Sequence, residues 1–204
     1  ETTGSKTQYE MLKSLMLTTE DYDRVVVECK KQGIEFMSTP FDYDAALFLQ
    51  KLGVKRLKIP SGELNNLPFL KQLASINLPL ILSTGMGTLE EVKEAVACIE
   101  AKRHALGYKA PLADVLSILH CTSNYPAAPE DVNLNAITTI KNAFDGQIPV
   151  GYSDHTLGIE ISIAAVAMGG AVIEKHFTLD RTLPGPDHKA SLEPAELGQM
   201  VSSI

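Results

Sequence analysis

Two histidines stand in short motifs of similar make. His155 lies in "GYSDHT" and His176 in "VIEKHF", each at the end of an apolar, β-branched run. If the two runs are neighbouring parallel strands, about 4.8 Å apart, two imidazoles at matched heights can share one metal ion. Two nitrogen donors completed by water and a substrate oxygen suit a borderline-to-hard divalent ion such as manganese, iron or zinc. A pair of hydrogen-bonded buried histidines fits the same spacing. After His176 a Pro/Gly-rich stretch, "TLDRTLPGPDHKAS", brings Asp187, His188 and Lys189 back toward the strand end. Asp187 could bind sugar hydroxyls or orient a metal-bound water.

Lys58, in "RLKIPSGE", ends another such run. Alternation along a strand puts Arg56 and Lys58 on one face and Leu57 and Ile59 on the other. The apolar pair suits packing under helices, which turns both cations inward. Inward charge needs partners, and Glu174, on the same face as His176, is expected to pair with Arg56 or Lys58. A strand lysine can equally be solvated. Thr39, Ser61, Ser83, Ser123 and Ser153 recur where Lys58 would emerge. Singly, each fits a strand end or a helix cap; around one cation they make an oxyanion pocket suited to phosphate. Glu63 could transfer protons, and Tyr125, in "HCTSNYP", could cover a small ligand. Both positions also fit ordinary loop residues. His120 suits a substrate contact or packing equally, and His104, in a charged helix end, is expected to be solvated.

These side chains meet only if the strands that carry them lie side by side. Strand-like runs at 33–40, 54–61, 78–85, 114–121, 148–154 and 171–177 alternate with segments of helical apolar spacing. Helices are also expected over about 7–17, 19–32 and 194–204, and "GMGTLEE" reads as a helix start with a capping box from Thr88 to Glu91. Strand, helix, strand at short spacing requires parallel crossovers. An open nucleotide-binding sheet would offer a Gly-rich turn, and "STGMGTLEE" lacks the third glycine. Polar clusters at nearly every strand end favour a (β/α)₈ barrel, which gathers its chemistry there. A complete barrel takes roughly 250 residues, so the chain is expected to be an α/β TIM barrel truncated to about six strands, with the N-terminal βα units missing.

The 204 residues are 45% hydrophobic and 21% charged, with a net charge of -7. That composition suits a soluble globular domain and argues against a nucleic-acid or anionic-membrane surface. The longest apolar stretch, "GIEISIAAVAMGGAVI", carries Glu160 and a Gly-Gly break and is a poor membrane span. Three cysteines without CxxC spacing, and no signal-peptide pattern at residue 1, point to reduced thiols in the cytoplasm.

Together, "KIPSGE", "ILSTGMG", "LHCTSNYP", "GYSDHT", "EKHFTLDR" and "GPDHKAS" resemble the sialic acid synthase family, with legionaminic acid, pseudaminic acid and spore-coat polysaccharide synthases as relatives. The resemblance runs in order from about residue 4 to the C-terminus. It implies condensation of phosphoenolpyruvate with an N-acylated hexosamine, N-acetylmannosamine or a 2,4-diacetamido hexose, on a TIM barrel. It also implies a homodimer in which a C-terminal antifreeze-like (SAF) domain caps the partner's site. Residues 1–204 would then be a partial barrel domain, with the SAF domain absent.

By that resemblance Lys58, Thr39, Ser61, Ser83 and Ser153 bind phosphoenolpyruvate, as does Ser123, although many relatives have Asn there. His155 and His176 ligate a divalent metal, manganese with magnesium or cobalt as alternatives. Tyr125 and Asp187 lie near the amino sugar. Glu63, Asp187 and His176 are the candidate catalytic groups. Two other readings remain open: a phosphoenolpyruvate-dependent 3-deoxy sugar acid synthase acting on a phosphorylated aldose, and a non-catalytic sugar-binding barrel.

Overall fold

Parallel strands need a crossover after each strand, and helical segments supply it here. The computed structural model describes residues 7–185 and 187–204, without the side chains of Gln8 and Met11. Residues 1–6, and Pro186 of the "GPDH" motif, lie outside the described residues. The chain opens with α1 (Gln8–Leu15), α2 (Thr19–Gln32) and α3 (Tyr43–Leu52). Strands β1 (Leu57–Ile59), β2 (Leu80–Ser83), β3 (Leu116–Cys121), β4 (Val150–Asp154) and β5 (Ile173–Lys175) follow. Between them run α4 (Leu67–Ser75), α5 (Leu89–Ala105), the single turn α6 (Leu112–Val115), α7 (Asn135–Ala143) and α8 (Glu160–Ala167). Finally, α9 (Pro194–Ser203) lies beyond β5.

The strands pair in sequence order, every pair parallel, and the sheet curls into half a barrel. Alternation sorts its two faces. Leu57, Ile59, Leu80, Leu82, Leu116, Ile118, Val150 and Tyr152 are buried on the helix side, against Leu70, Leu73, Val92, Val96, Ile99 and Ile137. The opposite, concave face carries polar groups toward the strand ends: Lys58, Ser83, Ser153 and Glu174. Helix starts are fixed locally. Thr88 Oγ1 accepts from Glu91 N–H, while Glu91 Oε2 accepts from Thr88 N–H at 2.7 Å, so the expected capping box is present. Among the described residues no helix is long and apolar enough to cross a membrane, and the three cysteines are free.

Three expectations need correction. The sheet has five strands among the described residues, not about six, because 33–40 joins no ladder. An edge segment gains ladder bonds on one side only, and Ile34 and Met37 there stay 65% and 37% exposed, so little burial would hold it in register. The run 114–121 begins as the turn α6 and becomes strand only at Leu116. Arg56 does not face inward with Lys58. It precedes the ladder, so the strand's alternation does not govern it, and its Nε donates to Glu35 Oε1 at 2.7 Å in a half-exposed ion pair.

Candidate active site

The carboxyl ends of parallel strands gather on one side of the sheet, and a cavity of about 680 Å³ opens there. Thr39, Lys58, Ser61, Ser83, Ser123 and Ser153 line it, and so do Tyr125, His155, Glu174, His176 and Asp187. Of the site residues that the family resemblance implies, Glu63 stands apart. It ends a 3₁₀ turn (Ser61–Glu63), where its carboxylate accepts from Asn66 Nδ2 at 2.7 Å, and it does not line the cavity.

Lys58 is buried, 7% exposed, and its ammonium lies 3.6 Å from Glu174 Oε2 while donating to the Ile59 carbonyl at 3.2 Å. Burial pulls its pKa below the usual lysine value, and the Glu174 carboxylate pulls it part of the way back. The expected inward ion pair is therefore Lys58 with Glu174. Beside it, Ser83 Oγ is buried with no hydrogen-bond partner among the described residues. A buried hydroxyl left unpaired on a cavity wall is free to serve a ligand.

Ser61 Oγ accepts from Gly85 N–H at 2.9 Å and lies 3.2 Å from Cys121 Sγ. A Cβ on Gly85 would stand 2.5 Å from Ser123 Oγ, 2.8 Å from Cys121 Sγ and 3.0 Å from Ser61 Oγ. Only glycine lets this backbone close against three side chains of the cavity floor. Gly85→Ala is expected to push Ser61 and Ser123 aside and to cost about 1–3 kcal/mol; a lowered thermal unfolding midpoint would show it.

His155 is 5% exposed, and its Nδ1 lies 2.6 Å from the Thr122 carbonyl, which assigns the proton to Nδ1. Ser153 Oγ, 3.3 Å from Nε2, gives its one proton to Glu174 Oε1 at 2.7 Å, so the Nε2 lone pair stays available. Burial lowers the His155 pKa, which favours the neutral ring. The His176 ring centroid is 5.4 Å away, and its Nδ1 stands 3.8 Å from Asp187 Oδ2. Tyr125 lies against His155 with ring centroids 4.0 Å apart and meets His176 edge-on at 5.4 Å. Burial raises the Tyr125 phenol pKa, with help from nearby acidic groups.

A model of the NeuB family matches residues 1–204. The chain belongs to the NeuB family. This NeuB chain is 54% identical over 200 residues to the N,N'-diacetyllegionaminic acid synthase of Legionella pneumophila, covering 98% of the chain and 54% of that protein. It thus spans about half the length of that relative. Among solved structures it resembles the N-acetylneuraminic acid synthetase of Leptospira borgpetersenii, determined with citrate, at TM-score 0.87 and 35% identity. That match covers 98% of this chain and 67% of the other. A truncated 3-deoxy-D-arabino-heptulosonate 7-phosphate synthase of Thermotoga maritima shares the fold, at TM-score 0.72 and 19% identity over 92% of this chain and 70% of that one. The half-barrel of the NeuB chain is accordingly a truncated TIM barrel.

Among the described residues no three His, Cys, Asp or Glu side chains gather into a metal-holding group. His155 and His176, both on the cavity wall with ring centroids 5.4 Å apart, are the imidazoles that could hold a cation there. A carbonyl on Nδ1 and a free Nε2 is the arrangement a ligating histidine needs, so His155 fits a divalent cation.

The NeuB cavity also holds residues that were not proposed as ligand-binding. Glu174 was signalled by alternation, two residues before His176, and Cys121 ends β3 as the register partner of Ser153. Phe41 and Met86 lie in loops, where no periodicity marks them. His120 faces the helix side instead, with Nε2 2.7 Å from the Val132 carbonyl and its ring beside Tyr152, so it packs. His104 is exposed, as expected.

Proposed function

We propose that the intact protein condenses phosphoenolpyruvate with an N-acylated hexosamine to give a nonulosonic acid and phosphate. One observation carries this reading: a buried lysine, an unpaired buried hydroxyl and a histidine with a free Nε2 line the same cavity. An anion and an electrophilic carbonyl can then be held side by side. The identity to an N,N'-diacetyllegionaminic acid synthase favours a 2,4-diacetamido hexose over N-acetylmannosamine. The cytoplasmic homodimer implied by the family resemblance belongs to the same proposal.

Lys58 and the Ser83 hydroxyl would hold the phosphate, with Thr39, Ser61, Ser123 and Ser153 completing the pocket. His155 and His176 would hold a divalent cation, manganese with magnesium or cobalt as substitutes, which when bound would polarise the sugar aldehyde as a Lewis acid. C3 of phosphoenolpyruvate forms the new bond to the aldehyde carbon, and the aldehyde oxygen becomes a hydroxyl by taking a proton. Water adds at C2, the C2–O bond breaks and phosphate leaves. Of the two water protons, one balances the new hydroxyl and the other departs with phosphate or solvent. Tyr125 would cover the sugar. Asp187, on the cavity wall beside His176, is better placed than Glu63 to bind sugar hydroxyls or move a proton.

The test is phosphate release from phosphoenolpyruvate with Mn²⁺ and a 2,4-diacetamido hexose, N-acetylmannosamine, a phosphorylated aldose, or no sugar. Release that requires an amino sugar is expected. Release with the phosphorylated aldose alone would move the chain to the 3-deoxy sugar acid synthases. No release with any sugar, from folded and metal-loaded protein, would leave a binding barrel.

Glu174→Gln supplies a pH test of the Lys58 role. Lys58 must keep its proton to hold phosphate, so activity falls as pH rises through its pKa. Glu174 raises that pKa against the lowering by burial. Removing its charge should move the alkaline limb of kcat/KM for phosphoenolpyruvate to lower pH, and an unmoved limb would detach Lys58 from that titration.

A further inference from the structure

On the helix side of the sheet, directly behind the two histidines, lies an ion pair closed off from solvent. Lys175 Nζ is 2.9 Å from Asp154 Oδ2, with side chains 2% and 0% exposed. Asp154 has no spare acceptor: Oδ1 takes Thr156 N–H at 2.8 Å and Thr156 Oγ1–H at 2.7 Å, and Oδ2 takes Ser162 Oγ–H at 2.6 Å. Lys175 also donates to the Thr156 carbonyl at 2.6 Å. Asp154 and Lys175 are register partners across β4 and β5, and each immediately precedes a histidine. One ammonium therefore ties the residue before His176 to the residues on both sides of His155.

A buried ion pair is poor evidence for stability, because its desolvation rivals its attraction, but it can fix register. Register matters here because strand side chains alternate. A slip of one residue would turn over the ends of β4 and β5 and carry the histidines that follow them away from their present places in the cavity. We propose that Lys175 and Asp154 are positioning residues for the His155–His176 metal site, holding the two imidazoles at matched height and fixed separation. The inference rests on the metal reading made above.

The test measures Mn²⁺ affinity of the intact protein by electron paramagnetic resonance of free Mn²⁺, with thermal unfolding recorded separately. Lys175→Met, near in shape but uncharged, should weaken Mn²⁺ binding by roughly 10–100-fold in protein that still unfolds cooperatively. Leu73→Ala, a buried change between sheet and helices, should lower the unfolding temperature and leave the affinity unchanged. If Lys175→Met does not fold, the double variant Asp154→Asn, Lys175→Gln leaves no unpaired charge and is read in its place. The glutamine side chain is shorter than lysine and cannot span to both the new amide at position 154 and the Thr156 carbonyl, so the same weakening is expected. Wild-type affinity in either folded variant overturns the inference while the metal reading stands. No Mn²⁺ binding by the wild type, or unchanged binding in His155→Ala, overturns both.

Discussion

Lys58→Met is expected to slow phosphate release by about 10²–10³-fold while moving the thermal unfolding midpoint by no more than about 4 °C. The two effects separate because the charge serves the ligand at the expense of the fold. Burial makes the folded protein hold the Lys58 proton less tightly than the unfolded chain does. The cation is thus a net cost to folding at every pH below its folded pKa, and that cost fades as pH rises through it. Methionine removes the cost and keeps most of the volume. Glu174 loses its ion pair but not its Ser153 hydrogen bond, and its side chain is 37% exposed, so water can take over its solvation. The phosphate would have no such substitute in a buried slot. Lys58→Arg should not rescue, since a planar guanidinium needs a wider opening than an ammonium. A large loss of stability matched by a proportionate loss of activity would make the pair structural.

Much of this site is visible in the sequence because period-two alternation fixes direction wherever the chain stays in the ladder. Leu57 and Ile59 announce the helix side, so Lys58 between them must face the concave side, and Glu174 two residues before His176 must face it too. The same rule misleads one residue beyond the ladder. Arg56, just before β1, turns away to Glu35. Glu63 fails at the other end of the strand for a related reason. It lies in a 3₁₀ turn, where direction rotates by about 120° per residue, so distance along the sequence no longer says which way a side chain points. The segment 33–40 has strand composition, but membership of a sheet also depends on neighbours and burial, which composition does not carry. Met86 and Phe41 reach the cavity from loops, and only the folded chain brings them there.

The histidine pair yields the second large expectation, in which two substitutions agree in activity and differ in stability. His155→Ala and His176→Ala should each abolish tight Mn²⁺ binding and lower phosphate release by about 10³-fold or more, as loss of several kcal/mol of carbonyl polarisation requires. His176 has a side chain 30% exposed and stands 3.8 Å from Asp187, so little of the fold leans on it, and its alanine variant should unfold near the wild-type temperature. His155 is 5% exposed, donates to the Thr122 carbonyl and packs against Tyr125. Its removal takes one of two donors from that carbonyl, leaving the Asn124 N–H at 2.9 Å, and opens a void beside Tyr125, at a cost of about 1–3 kcal/mol. Metal-free thermal unfolding beside Mn²⁺ titration separates the two. If His176→Ala kept full Mn²⁺ affinity, the pair would be two packed histidines, and the chemistry proposed for this cavity would lose its electrophile.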